Sequence, residues 1–144
     1  GYSPEYHDPA FMKLVEDCCC DLVGKDRVKF DYESWSTGSS DFGDVTCVMP
    51  GVQFFAAGAI GTGHGIDYYV KDPNRMCVNA VKAQLFVADA LLRDDAAAAR
   101  KIIADYKPQY PSIKAYLDAI NELFLDKDAV QYDEHGNATV DFQN

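Results

Sequence analysis

The stretch Val52-Gln53-Phe54-Phe55-Ala56-Ala57, bounded by Gly51 and Gly58, decides the fold class. A continuous apolar run of this length between glycines is the pattern of a strand buried on both faces, the kind that occupies the centre of a parallel or mixed sheet. Immediately after it, Gly58, Gly61, Gly63 and Gly65 fall within eight residues. That density lets backbone adopt positive φ and approach a ligand closely. Open α/β sheets place their sites in loops at the ends of central strands, so Gly58–Gly65 is the first place to seek chemistry.

Working toward the N-terminus, Val28, Phe30 and Tyr32 alternate with polar residues and predict a second strand. Between the two, Ser34–Ser40 reads as a loop and Asp41–Val48 as a short helix capped by Ser40 or Asp41 and stopped before Pro50. Ahead of these, Asp8-Pro9 spells a cap and a first helical residue, and Phe11, Leu14, Val15, Cys18 and Leu22 define one apolar face up to Gly24. A helix over about 9–23 follows.

Toward the C-terminus, Asp72-Pro73 repeats the cap signal, and the face Met76, Cys77, Ala80, Val81, Leu85, Ala88, Leu91 and Leu92 predicts a long helix to about residue 93. Asp94 or Asp95 restarts a helix through Tyr106, Pro108 and Pro111 break it, and Ile113–Phe124 forms another. The tail places Val130 and Tyr132 on one side of Glu134–Asn137 and Ala138, Val140 and Phe142 on the other, a hairpin pattern. The expected class is α/β, a layered sheet packed by helices, with 1–125 as one unit and 126–144 as a C-terminal tail.

Composition narrows the functions. With 144 residues, 48% of them hydrophobic, the chain is long enough for one core. Its 13 basic and 23 acidic residues give a net charge of -10, which repels phosphate backbones and anionic lipid; nucleic acid and membrane are expected not to be partners. Five cysteines, three of them consecutive at Cys18–Cys20 on a helix, form no regular disulfide or zinc framework and read as reduced thiols in a cytoplasmic protein. Cys47 and Cys77 read as buried or half-buried. The opening Gly1-Tyr2-Ser3-Pro4 carries no initiator Met or leader and reads as a linker, so a fragment of a longer protein is expected.

Of three histidines, His7 beside the first cap and His135 in the tail turn read as exposed polar residues. His64, between Gly63 and Gly65, is open to two readings, a loop histidine held by a carbonyl or a ligand for a metal or substrate oxygen. Gly38-Ser-Ser-Asp-Phe-Gly-Asp-Val-Thr46 gathers two hydroxyls and two carboxylates at a loop-to-helix junction, where capping explains them without chemistry; as a functional element the helix start could hold an anionic group, or Asp41 could orient a metal-bound histidine. Tyr68 and Tyr69 could line a pocket or simply pack. Phosphate-loop, dinucleotide and nucleophile-elbow motifs do not occur.

Gly38–Thr46, then Val48-Met-Pro-Gly-Val-Gln53, then Gly63-His-Gly65 followed by a long Ala- and Leu-bearing helix resemble, in order and spacing, the C-terminal part of the dimetal amidohydrolases and peptidases. That family includes aminoacylase, hippurate hydrolase, indoleacetyl-amino-acid hydrolase and aminobenzoyl-glutamate hydrolase. The resemblance implies a phosphorylase/hydrolase-like catalytic domain holding two divalent ions, zinc or manganese, interrupted by an inserted dimerisation domain in a homodimeric parent. It implies that His64 is the last metal ligand and that Ser39, Ser40, Asp41, Gly43, Gly63 and Gly65 are substrate-binding or site-adjacent. The general base and remaining ligands would come from a missing N-terminal segment, so the 144 residues alone would hold no catalytic residue and be inactive. The implied substrates are N-acyl amino acids or small peptides, hydrolysed by metal-activated water. Thr62 and Gly63 before the histidine and Gly65 after it depart from the family's commoner residues. A non-catalytic binding module with a degenerate site is the alternative.

Overall fold

The computed structural model describes residues 2–33, 38, 40–124 and 128–140 as a mixed α/β chain with two small antiparallel sheets. It divides into two units, Gly1–Gln109 and Tyr110–Asn144.

In the first unit, helix α1 spans Pro9–Val23 as the capping signal predicts. The Asp8 carboxylate accepts the Phe11 amide at 2.9 Å, Pro9 occupies the first turn, and Gly24 ends the helix at φ 90°. The short helix α2 spans Phe42–Thr46, and the long helix α3 spans Asn79–Asp105 after a π-helical turn at Asn74–Val78. α3 is interrupted where a restart was expected: Asp94, Asp95 and Ala96 are left-handed, with φ between 53° and 56°. Val15 and Cys18 of α1 meet Val87 of α3 in the core, and Phe11, Leu14, Phe30, Val52, Phe54 and Leu91 pack around them.

Two strands expected from the sequence are not formed. Val52–Ala57 and Val28–Tyr32 run without regular secondary structure. Phe30, Val52 and Phe54 reach the core as strand residues would, yet no segment among the described residues hydrogen-bonds along their backbones to make a ladder. Apolar content put the side chains in place; sheet formation needs a paired neighbour. The glycine-rich segment therefore does not cap a central strand. It enters β1 (Ala59–Ile60), which pairs antiparallel with β2 (Tyr69–Val70), and the loop between them carries His64.

In the second unit, Ser112 caps helix α4 (Ile113–Leu123) by accepting the Ala115 amide at 3.1 Å. Strands β3 (Val130–Tyr132) and β4 (Ala138–Val140) form the expected hairpin, with Gly136 at φ 79° in its turn. Phe142 lies outside the described residues. No helix among the described residues is long and apolar enough to cross a membrane.

Candidate functional site

The β1–β2 loop is tied within itself. The Gly65 amide donates to the Thr62 carbonyl at 2.7 Å and the Tyr68 amide to the Gly65 carbonyl at 3.2 Å. The Asp67 carboxylate accepts the Thr62 amide at 3.2 Å and faces the Thr62 hydroxyl at 3.4 Å. At Gly65 a Cβ would lie 2.4 Å from Asp67 Oδ1, whereas one at Gly63 would meet nothing within 4 Å. The two glycines thus differ: Gly65 is required by loop closure and Gly63 faces open space. His64 stands between them at φ 63°, exposed, and no described residue hydrogen-bonds its imidazole. None of the described residues supplies the carbonyl that a structural loop histidine would use, which leaves both ring nitrogens unengaged by them.

The second predicted cluster has a structural task. Ser3 N–H donates to Asp44 Oδ1 at 2.9 Å, Tyr6 N–H donates to Thr46 Oγ1 at 3.0 Å, and the Thr46 hydroxyl donates to the Gly43 carbonyl at 3.1 Å. Gly43 is buried, and a Cβ there would sit 1.8 Å from the Ser3 carbonyl oxygen. The Gly-Asp-Val-Thr half of the motif therefore fastens residues 3–6 onto α2. Ser40 Oγ accepts the Phe42 amide at 3.0 Å, a turn-initiating bond; Asp41 precedes α2 with its exposed side chain making no cap. Gly38 is exposed, and Ser39 lies outside the described residues.

A groove of about 720 Å³ opens elsewhere in this unit, lined by α1, by both unformed strands and by the start of α3. Neither His64 nor Tyr68 nor Tyr69 lines it, and both tyrosines are exposed. His7 does, and it is half-buried where an exposed residue was expected: its Nε2 lies 3.0 Å from Glu5 Oε2. With its amide nitrogen turned toward Glu5, Gln53 donates to both carboxylate oxygens at 2.8 and 3.2 Å. The proline after Asp8 starts α1 and thereby throws Glu5 and His7 back over Gln53. A histidine two residues from a carboxylate was the available signal, but nothing local showed that Gln53 would join them.

The donor set does not by itself make a metal pair. No group of three or more His, Cys, Asp or Glu side chains suited to a metal ion occurs among the described residues, and an imidazole alone supplies one of the three or four protein ligands that zinc sites use. Comparison with protein-family models, characterised proteins and solved structures returns no significant match to this chain.

Proposed function

We propose that these residues are the C-terminal segment of the catalytic domain of a metal-dependent amidohydrolase or metallopeptidase acting on N-acyl amino acids or small peptides in the cytoplasm. The observation that carries this reading is His64, a left-handed residue on a self-tied loop with both imidazole nitrogens unengaged by described residues. Loop closure through Thr62, Gly65 and Asp67 limits the ring's freedom before any ligand arrives, which lowers the entropic cost of ligation. The ordered likeness of Gly38–Thr46 and Gly63–Gly65 to the dimetal hydrolases supplies the reaction class.

On this reading the chain contributes one ligand, and the remaining ligands and the glutamate base belong to a preceding segment. The parent would be a homodimer through its inserted domain. Two divalent ions held there would polarise the amide carbonyl and acidify a water. Gly43, Asp44 and Thr46 maintain the floor beneath the substrate by anchoring residues 3–6, and the layered sheet is completed when Val28–Tyr32 and Val52–Ala57 gain partners.

The test is made on the polypeptide that carries this chain with its preceding segment. Bound zinc and manganese are counted by mass spectrometry, and hydrolysis of an N-acyl amino acid is measured before and after chelation. His64→Ala is expected to lose at least one ion and the activity; full retention of both removes His64 from the ligand set. A second reading, a non-catalytic binding module, is favoured by the lack of a three-donor group among the described residues. It is chosen if the longer polypeptide binds no metal.

A further inference from the structure

Helix α3 breaks where its sequence gives no reason to break. From Asn79 to Tyr106 the chain contains no proline and no glycine, the residues at which helices ordinarily kink, and Ala96–Ala99 is a run of the strongest helix former. Yet Arg93 is extended, at φ -60° and ψ 161°, and the next three residues, Asp94, Asp95 and Ala96, are all left-handed, with φ of 53°, 56° and 56°. Residues with a Cβ visit this region singly, because the Cβ crowds the following carbonyl oxygen, and three in succession accumulate that cost. Aspartate tolerates it better than alanine, whose methyl group at Ala96 offers no local hydrogen bond in return.

Contacts outside the turn must therefore hold it, and they are few. Of residues 97–106 only Ile102 and Tyr106 are fully buried. The Tyr106 hydroxyl donates to the Thr46 carbonyl of α2, and just beyond it the Gln109 amide donates to the Cys47 carbonyl at 3.0 Å. At the turn itself Arg100 Nη2 lies 2.5 Å from Asp95 Oδ2. An α-helix brings together side chains three or four residues apart, not five, so this pair belongs to the broken form alone. Both of its side chains are exposed, at 60% and 95%, and it adds little. The seam on α2 is what opposes the strain.

We propose that residues 93–96 are a loaded hinge: when Tyr106 and Gln109 let go of α2, the left-handed turn reverts and α3 closes into one right-handed helix over Asn79–Asp105. Straightening relieves three left-handed residues and carries Tyr106–Gln109 off the Thr46 and Cys47 carbonyls. The course of the chain beyond α3 and the order of α2 are thereby set together, through an element with two discrete arrangements.

Two substitutions of opposite sign test this on the full 144-residue chain. Glycine relieves a left-handed residue but weakens a right-handed helix, so the urea midpoint of Ala96→Gly is expected to rise above that of the wild type. An unchanged or lower midpoint means that residue 96 stores no strain and overturns the proposal. Asp94→Ala with Asp95→Ala alters only exposed side chains, removes the pair to Arg100, raises the cost of the left-handed turn and favours the helix; Tyr106→Phe is added to loosen the seam. In NMR spectra of this triple variant, contacts from an α-proton to the amide three residues on, missing across 92–97 in the wild type, are expected to appear. The Gln109 amide is expected to exchange about tenfold faster while the amides of 98–105 stay protected. Loss of protection over 98–105 as well means that the second half of α3 has frayed, and continued absence of the contacts means that the turn is a fixed corner; either overturns the proposal. If the triple variant does not fold, Asp94→Ala with Asp95→Ala is read in the same way with the seam intact.

Discussion

The Tyr106 hydroxyl, at the C-terminal end of α3, donates a hydrogen bond to the backbone carbonyl of Thr46 at the end of α2, sixty residues earlier in the chain. Thr46 is fully buried and Tyr106 nearly so. One bond thus joins the end of α3 to the end of α2, and the Gln109 amide reinforces it by donating to the Cys47 carbonyl at 3.0 Å. Tyr106→Phe keeps the ring and removes the donor, leaving a buried carbonyl short of its partner. A loss of about 1–2 kcal/mol is expected in urea unfolding, as for other buried hydrogen bonds broken on one side.

The same phenol makes stability fall in alkali. Burial, and then the charges of Cys47, Tyr6 and Asp8, push the Tyr106 hydroxyl above its ordinary value of 10.0. The folded chain therefore holds this proton more tightly than the unfolded one. The resulting stabilisation is complete below about pH 10 and is lost as pH rises through the folded value. Unfolding followed between pH 8 and pH 11 should show the wild type declining more steeply than Tyr106→Phe. Tyr32, pushed up to about 12 by desolvation and its hydrogen bond to Glu16, is present in both and leaves a residual slope.

Gly43 should not tolerate a methyl group. A Cβ there would fall 1.8 Å from the Ser3 carbonyl oxygen and 3.2 Å from the Pro4 carbonyl carbon, backbone atoms that cannot rotate aside. Gly43→Ala is expected to cost about 1–3 kcal/mol, the range for overpacking a buried site. It should also release residues 3–6, seen as faster exchange of the Ser3 and Tyr6 amides that bond to Asp44 and Thr46.

Helix-start signals read correctly where the partner was close in sequence. Asp8-Pro9 and Ser112 announce helix starts because a cap bonds an amide three residues on, and the break at Asp94–Ala96 falls where Asp94 or Asp95 was expected to restart a helix. Val52–Ala57 shows the limit: Val52 and Phe54 pack on the core, but Phe55 is 87% exposed rather than buried on a second face, and strand formation depends on a distant backbone that composition does not encode. Gly43 is similar. The motif around it looked like a cap and a site, and its close approach to Ser3, forty residues away, has no local signature. His64 stood out in the sequence because two glycines flank it, whereas its left-handed backbone is visible only in the structure.

The thiols divide by position, against the expectation that all would be at least half-buried. Cys77, in the π-helical turn ahead of α3, is exposed, whereas Cys47 and Cys18 are buried. Burial pushes the Cys18 thiol up, with the nearby Asp21 charge adding to it, and a raised value leaves less of the reactive thiolate. Under native conditions a chromogenic disulfide reagent should consume Cys77 first and leave Cys18 and Cys47 until denaturant is added. Early loss of the Cys47 thiol would place α2 away from Tyr106 and Gln109.

The β3–β4 hairpin turns on Asp133. Its carboxylate accepts the His135 amide at 2.9 Å and both the backbone and side-chain nitrogens of Asn137 at 2.8 Å. The Asn137 side chain and then its backbone amide hold this carboxyl below its ordinary value of 3.8. Stabilisation from the charged form is therefore present above the ordinary carboxylate range and disappears as pH falls through the depressed folded value. In NMR spectra of the full chain, contacts between Val130 and Val140 and between Gln131 and Thr139 should persist at pH 5 and fade as the carboxylate protonates. Asp133→Asn keeps acceptor capacity without charge and should retain part of the hairpin at every pH, while Asp133→Ala should lose it even at pH 7. Contacts unchanged in the alanine variant would mean that Gly136, at φ 79°, sets the turn without the carboxylate.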